Sequence, residues 1–254
     1  MESFSQITTR RVSLEGEVPF TDAHCHLDLF PEPEKTFLNA RKAGVGVVIT
    51  AGGNAEGNMK TLDIVHGGIY GVVGISPEFM LSEAWKIDEL KDILKMNKNI
   101  IGIGEIGLDA VMAEKSSLEV QEKGFIKQLE IASSMELPVV IHSRRSLNRT
   151  FEILKESAVK NVVFHYFEGN ENDAIAAEKE GWLVSIPPIE SSRLKRVIRV
   201  LDIDSIVAET DSPAVGKEPS DVLSVIEKVA LLKGISTVEA GERMTKTIKE
   251  YFYV

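Results

Sequence analysis

The sequence predicts an α/β fold, a single (β/α)8 barrel with an additional C-terminal helix, on three observations. About eight short runs rich in Val, Ile or Phe recur along the chain, and segments of helical spacing separate them. The length, 254 residues, is the size that one such barrel requires.

Taken in order, the predicted strands are Pro19–Ala23, Gly46–Thr50, Tyr70–Ile75, Ile100–Gly104, Pro138–Ile141, Val162–Phe164, Trp182–Ile186 and Ser205–Ala208. None shows clean apolar–polar alternation, and runs buried on both faces belong to parallel sheets covered by helices. Between strands four and five, a helix beginning at Leu118 has Leu118, Phe125, Leu129 and Ala132 at spacings that share one face. Ser146–Glu156 and Asp221–Lys233 follow the same pattern, and Thr237–Tyr251 supplies the extra terminal helix. Periodicity cannot show closure, so an open doubly wound sheet stays an alternative. With no repeat, low-complexity stretch or Pro/Gly/Ser linker in view, the expected organisation is an N-terminal extension, 1–18, and one domain, 19–254.

Composition narrows the function classes. A formal charge of −10 argues against a broad basic nucleic-acid face, while leaving room for a local anion site. The one cysteine excludes an intramolecular disulfide framework and any Cys-rich zinc module, in keeping with a reducing compartment. The first twenty residues lack the apolar core of a signal peptide, and no later run reaches the length of a membrane span. The expected location is cytoplasmic, without membrane association.

The ionisable residues gather where strands end. In Asp22-Ala-His24-Cys-His26 the two histidines are expected to project to one side of an extended strand, about 6.6 Å apart along the backbone, with Cys25 facing the other way and packing outward. Strand four runs into Glu105, strand five ends at His142, strand six at His165, and strand eight at Glu209-Thr-Asp211. Four of the five histidines therefore lie at strand C-termini, the face where such barrels carry their chemistry. The fifth, His66, reads as a helix-terminus residue favoured by the helix dipole. Singly, each residue has a structural reading, as a hydrogen-bonded histidine, a turn carboxylate or a cap; jointly they line one mouth. Imidazoles mixed with carboxylates suit Zn²⁺, Mn²⁺, Co²⁺ or Ni²⁺, whereas Mg²⁺ prefers oxygen ligands. Gly102-Ile-Gly104-Glu-Ile-Gly107 matches a dinucleotide fingerprint in letters, but its glycines fall in a strand and no helix opens after them; clearance around Glu105 is the expected role.

Five segments together resemble the TatD family of metal-dependent hydrolases, in the amidohydrolase superfamily. They are Thr21-Asp-Ala-His-Cys-His-Leu-Asp28, Gly104-Glu-Ile-Gly-Leu-Asp109, Pro138-Val-Val-Ile-His-Ser-Arg144, His165-Tyr-Phe-Glu-Gly169 and Glu209-Thr-Asp-Ser-Pro213. The resemblance implies a TIM-like barrel with one or two divalent metals, Mg²⁺ being admissible because family DNases can use it. His24, His26 and Asp211 would hold the first, His142 and His165 the second, and Glu105 would bridge them. It also implies metal-dependent DNase action, including 3′ to 5′ exonuclease activity. Two segments depart from the family. Gly74-Ile-Ser-Pro-Glu-Phe79 stands where histidines associated with substrate phosphate are usual, so Ser76 and Glu78 replace them; a carboxylate at Glu78 repels phosphate unless turned away or paired. The loop Ser212–Pro219 lacks much of the usual insertion and its basic residue.

Roles follow from these assignments. Asp211 is expected to ligate a metal and accept a proton from the attacking water, and Glu105 to act with it. Arg144, two residues past His142, is a candidate phosphate clamp. Asp22 and Glu209 are candidates to orient the ligating imidazoles, while Asp28 and Asp109 read as caps or loop residues. The leading expectation is a phosphodiesterase acting on DNA or RNA ends; the alternatives are hydrolysis of a small ester, lactone or amide, and a non-catalytic metal-binding barrel.

Overall fold

The computed structural model describes residues 20–254; the expected extension, 1–18, and Pro19 lie outside the described residues. The elements run β1 (Phe20–Cys25), α1 (Pro33–Ala43), β2 (Val45–Ala51), α2 (Ala55–Ile64), β3 (Ile69–Val73), α3 (Met80–Glu83), α4 (Leu90–Met96), β4 (Ile100–Asp109) and α5 (Leu118–Ser134). They continue β5 (Val139–Arg144), α6 (Leu147–Glu156), β6 (Val162–Phe164), α7 (Glu171–Lys179), β7 (Leu183–Ile186), α8 (Ser192–Val200), β8 (Ile206–Ala208), α9 (Val222–Lys233) and α10 (Thr237–Phe252). All strands pair in parallel and in sequence order, β1 to β8. A doubly wound sheet would reverse its strand order midway, so that alternative falls.

Two apolar layers account for the wall. The inner one takes Ala23, Ile49, Val72, Ile101, Val140, Val163, Leu183 and Val207, at least one side chain per strand. Ile248 and Phe252 of α10 pack on the same layer and close its lower end, which is the task of the extra helix. The outer layer lies between strands and helices, and Cys25 belongs to it. Cys25 does face away from the imidazoles, but that side is covered, so the thiol is fully buried against the Ile49 carbonyl.

Hydrogen bonds from the β1 and β8 loops join the first and last strands. His26 N–H donates to Ser212 O at 2.8 Å, and Asp211 N–H donates to His24 O at 2.9 Å. Asp22, fully buried, accepts from Thr210 N–H at 2.8 Å and from the Thr210 hydroxyl at 2.5 Å. The seam is thus tied by the candidate site residues and their neighbours.

Two expectations need correction. Strand four does not stop at Gly104; it runs to Asp109, with an irregular register between Ile103 and Ile106 and with Gly107 opposite His142. Glycine is required at 107, where φ is +142° and a Cβ would lie 2.0 Å from the His142 carbonyl oxygen. The irregularity re-aims Glu105 within an otherwise regular strand. The buried face of α5 also differs, because Leu118 is 39% exposed while Gln121 and Gln128 are buried beside Phe125 and Leu129. Leu118 is the first residue of the helix and overhangs the core. The two glutamines satisfy backbone groups at the end of β4 and just past β3. Gln128 accepts from Ile75 N–H at 2.7 Å and donates to Ile75 O at 3.0 Å, and Gln121 does the same for Asp109 at 2.7 and 3.0 Å. Buried amides of this kind are stable because their oxygen and nitrogen each find a backbone partner.

Candidate metal centre

The C-terminal part of the barrel brings six predicted residues together, five near strand ends and Glu105 from within β4. Glu105 presents one oxygen to each of two histidine sets. Its Oε1 lies 2.5 Å from His142 Nδ1 and 3.1 Å from His165 Nε2, and its Oε2 lies 3.7 Å from His26 Nε2. Asp211 Oδ1 is 3.4 Å from His26 Nε2 and 3.8 Å from His24 Nε2. The His24 and His165 rings stack at 4.0 Å between centroids, which joins the two sets. Three overlapping groups have donor atoms within 4.8 Å of one another: His24, His26 and Glu105; His24, His165 and Asp211; Glu105, His142 and His165.

A divalent cation fits this donor set. Both ring nitrogens of His24, almost wholly buried, have no hydrogen-bond partner among the described residues, a costly state unless something else is bound there. Burial, reinforced by His165 and His26, holds the His24 imidazole well below its ordinary pKa, so it is neutral and ready to ligate. Burial opposes charge at His26 too, but Asp211 and Glu105 carry it up to about 9. The same opposition at His142 is overcome by Glu105 and Asp109, again to about 9. Against its own burial, Glu105 is held well below the usual carboxylate range by His165 and His142. Carboxylates that pull protons onto buried imidazoles mark a site short of positive charge, which a divalent ion supplies.

The flanking contacts set ring orientation. His26 Nδ1–H donates to Ala51 O at 2.9 Å, leaving Nε2 toward the centre. Glu209, fully buried, accepts from Tyr166 N–H at 2.6 Å and lies 3.5 Å from His165 Nδ1. Asp22 touches no imidazole ring; it acts on the site through Thr210 and the His24 backbone. Asp109, expected as a cap or loop residue, does accept through Oδ1 from the Val111 and Met112 N–H groups at 2.8 and 3.1 Å. Its Oδ2, however, lies 3.0 Å from His142 Nε2, the ring nitrogen opposite Glu105. A signal existed in the sequence: Asp109 is four residues past Glu105 and shares its strand face once β4 is allowed to continue. His66 is exposed and pairs with Glu34 at 3.2 Å, apart from the centre. Asp28 is buried with Oδ1 unpartnered, and burial pushes its carboxyl up to about 6, but it joins none of the three groups.

Backbone geometry at the mouth is unusual. Arg145, Tyr166 and Asp211 adopt φ of +52°, +44° and +49°, one each after β5, β6 and β8. Non-glycine residues in this region are uncommon, and they concentrate at functional sites. A cavity of about 380 Å³ opens beside the cluster, lined by His142, Arg144, His165 and Asp211 together with Tyr166, Ala214 and Val215. The short loop after Asp211 thus lays Ala214 and Val215 against the cavity. Ser76 is buried, and Glu78 sits 3.8 Å from Lys115 Nζ, so its charge is partly met at the surface.

Comparison with known sequences agrees with this geometry. The family model described as TatD related DNase matches residues 21–253. The chain belongs to the TatD family. Among its relatives, human deoxyribonuclease TATDN3 is 30% identical over 260 residues, covering 92% of this chain and 95% of that protein. An uncharacterized metal-dependent hydrolase from Methanocaldococcus jannaschii is 28% identical over 248 residues, covering 93% and 98%. The crystal structure of the TatD homologue YjjV from Escherichia coli K12 superimposes with a TM-score of 0.85 at 24% identity, covering 93% of this chain and 99% of that one, which establishes the shared barrel. This TatD-family chain is a metal-dependent hydrolase, and its described residues include no helix long and apolar enough to cross a membrane.

Proposed function

We propose that the chain is a metal-dependent phosphodiesterase acting on DNA or RNA ends, most directly a deoxyribonuclease that trims strands from the 3′ end, and that it works in the cytoplasm. One observation carries the reading: a single buried carboxylate, Glu105, turns one oxygen to His142 and His165 and the other to His26. That placement suits a bridge between two cations. His24, His26 and Asp211 would hold one, His142 and His165 the other; Zn²⁺, Mn²⁺, Co²⁺, Ni²⁺ and Mg²⁺ are the candidates. The chemistry supplied by such ions when bound is neutralisation of phosphoryl charge and acidification of a coordinated water, down to about 7.

The protein's own groups do the rest. Asp211 faces the cluster with Oδ1 and is placed to take the proton of the attacking water. Arg144, exposed on the cavity wall two residues past His142 on β5, is placed to pair bidentately with a phosphate that enters. Tyr166 and Val215 offer an apolar wall to a base or sugar. Asp109 and Glu209 fix the His142 and His165 rings from behind.

A panel tests the reading directly. Protein loaded with Mn²⁺ or Mg²⁺ is expected to shorten single-stranded DNA and leave carboxylic esters and lactones intact. Activity confined to carboxylic esters would instead select the small-ester reading, which the short Ala214–Val215 wall and the Glu78 carboxylate favour. Asp109→Asn is expected to weaken binding of the second Mn²⁺ by about 10- to 100-fold, because His142 loses the carboxylate that orients it. Calorimetric titration with Mn²⁺ measures this, and two wild-type affinities in the variant would remove Asp109 from the site.

A further inference from the structure

The cavity at the metal centre adjoins another. Glu168 lines the first and also a second of about 450 Å³, which Leu108, Arg145, Asn148 and Asp173 help to line on the α6 side. Arg144 lines the first cavity and Arg145 the second. The two side chains part because the backbone turns at Arg145, where φ is +52° and the N–H donates to Glu168 Oε2 at 3.2 Å.

Neither guanidinium has a hydrogen bond or ion pair among the described residues, although acids stand nearby. Two of those acids are engaged elsewhere, while the third, Glu168, stands on the wall that both cavities share and accepts from the Arg145 N–H. Both oxygens of Glu122 are taken by Arg149, at 3.0 and 2.8 Å, and Asp173 Oδ2 accepts from Asn170 N–H at 2.8 Å. In a chain of net charge −10, two adjacent unpaired arginines, one on each of two adjoining cavities, are two cationic groups open to an anion on either side of the Glu168 wall.

We propose that Arg145 forms a second phosphate subsite for single-stranded nucleic acid. The phosphodiester to be cleaved lies in the first cavity beside Glu105 and Asp211, and the neighbouring phosphate of the same strand rests on Arg145 in the second. Consecutive Cα atoms stand only about 3.8 Å apart, and the two arginine side chains part from there into different cavities. The subsite rests on the phosphodiesterase reading and adds to it a preference for substrates with at least two phosphates.

The test compares bis(4-nitrophenyl) phosphate, with one phosphodiester, and the trinucleotide TpTpT, with two, on wild type, Arg145→Gly and Arg145→Lys. Glycine accepts the positive φ, so the turn survives while the charge goes. Arg145→Gly is expected to lower kcat/KM for TpTpT about tenfold relative to the one-phosphate substrate. Its log–log salt slope on TpTpT, between about 50 and 200 mM, should fall by about 0.7, the increment for one phosphate contact on a single strand. Arg145→Lys should restore that slope, since lysine keeps the charge. Wild-type ratio and slope in Arg145→Gly overturn the subsite and leave the phosphodiesterase reading standing, as does an equal loss on both substrates. Wild-type protein that cleaves neither phosphodiester overturns both.

Discussion

Glu105→Ala is expected to slow trimming of single-stranded DNA by at least about 10³-fold, which corresponds to about 4 kcal/mol of barrier. The substitution removes the group shared by the two histidine sets, with Oε1 at 2.5 Å from His142 and 3.1 Å from His165 and Oε2 at 3.7 Å from His26. Metal content should fall with the rate, from two equivalents toward one. The ion-free protein carries a further signature. With Glu105 present, the His142 imidazole is raised to about 9, so this pair stabilises the fold fully below the ordinary imidazole pKa and loses that contribution as pH rises through about 9. Ion-free Glu105→Ala should therefore melt earlier than wild type at pH 6, with the gap narrowing above pH 9. Glu105→Gln, which keeps the shape and loses the charge, separates packing from chemistry and should be as slow as the alanine variant. Trimming by either variant at the wild-type rate would exclude the proposed centre.

Asp211→Asn is expected to lower kcat by about 10²- to 10⁴-fold, the range for removing a positioned proton acceptor. Asparagine is the informative choice. The residue sits at φ +49°, a conformation that asparagine tolerates and alanine does not, and its N–H and carbonyl hold His24 O and Val215 N–H at 2.9 Å each. The seam between β1 and β8 then persists while the negative charge beside His26 is lost. Asp211→Ala should combine the catalytic loss with a lower Tm, because alanine strains the same turn. Pre-steady-state trimming at several pH values reads the proton step, and a wild-type kcat in Asp211→Asn would assign proton acceptance elsewhere.

The sequence was most legible where one residue type at one spacing has one structural consequence. Val- and Ile-rich runs without alternation imply strands buried on both faces, and their recurrence implied the barrel. Histidines and acids at the ends of those runs pointed to a common mouth, since barrel strands all run one way. Reading failed where a residue's role depends on a partner distant in the chain. Asp109 looks like a cap because its Oδ1 is one; only the pairing of β4 with β5 brings its Oδ2 to His142. Asp22 looks like an imidazole partner by proximity in sequence, but closure of the barrel hands it to Thr210, 188 positions away. Gln121 and Gln128 gain their roles only once α5 packs against the barrel, where their amides meet the backbone of Asp109 in β4 and of Ile75 just past β3.

By itself, then, the sequence determined the class of fold, the mouth that carries the chemistry and the residue types gathered there, because strand periodicity and parallel topology are local properties summed along the chain. Tertiary structure decided which oxygen of Glu105 faces which histidine, what holds each ring from behind, and how Arg144 and Arg145 part into two adjoining cavities. Those outcomes depend on register shifts, left-handed turns and long-range hydrogen bonds, whose energies exist only once distant segments have met.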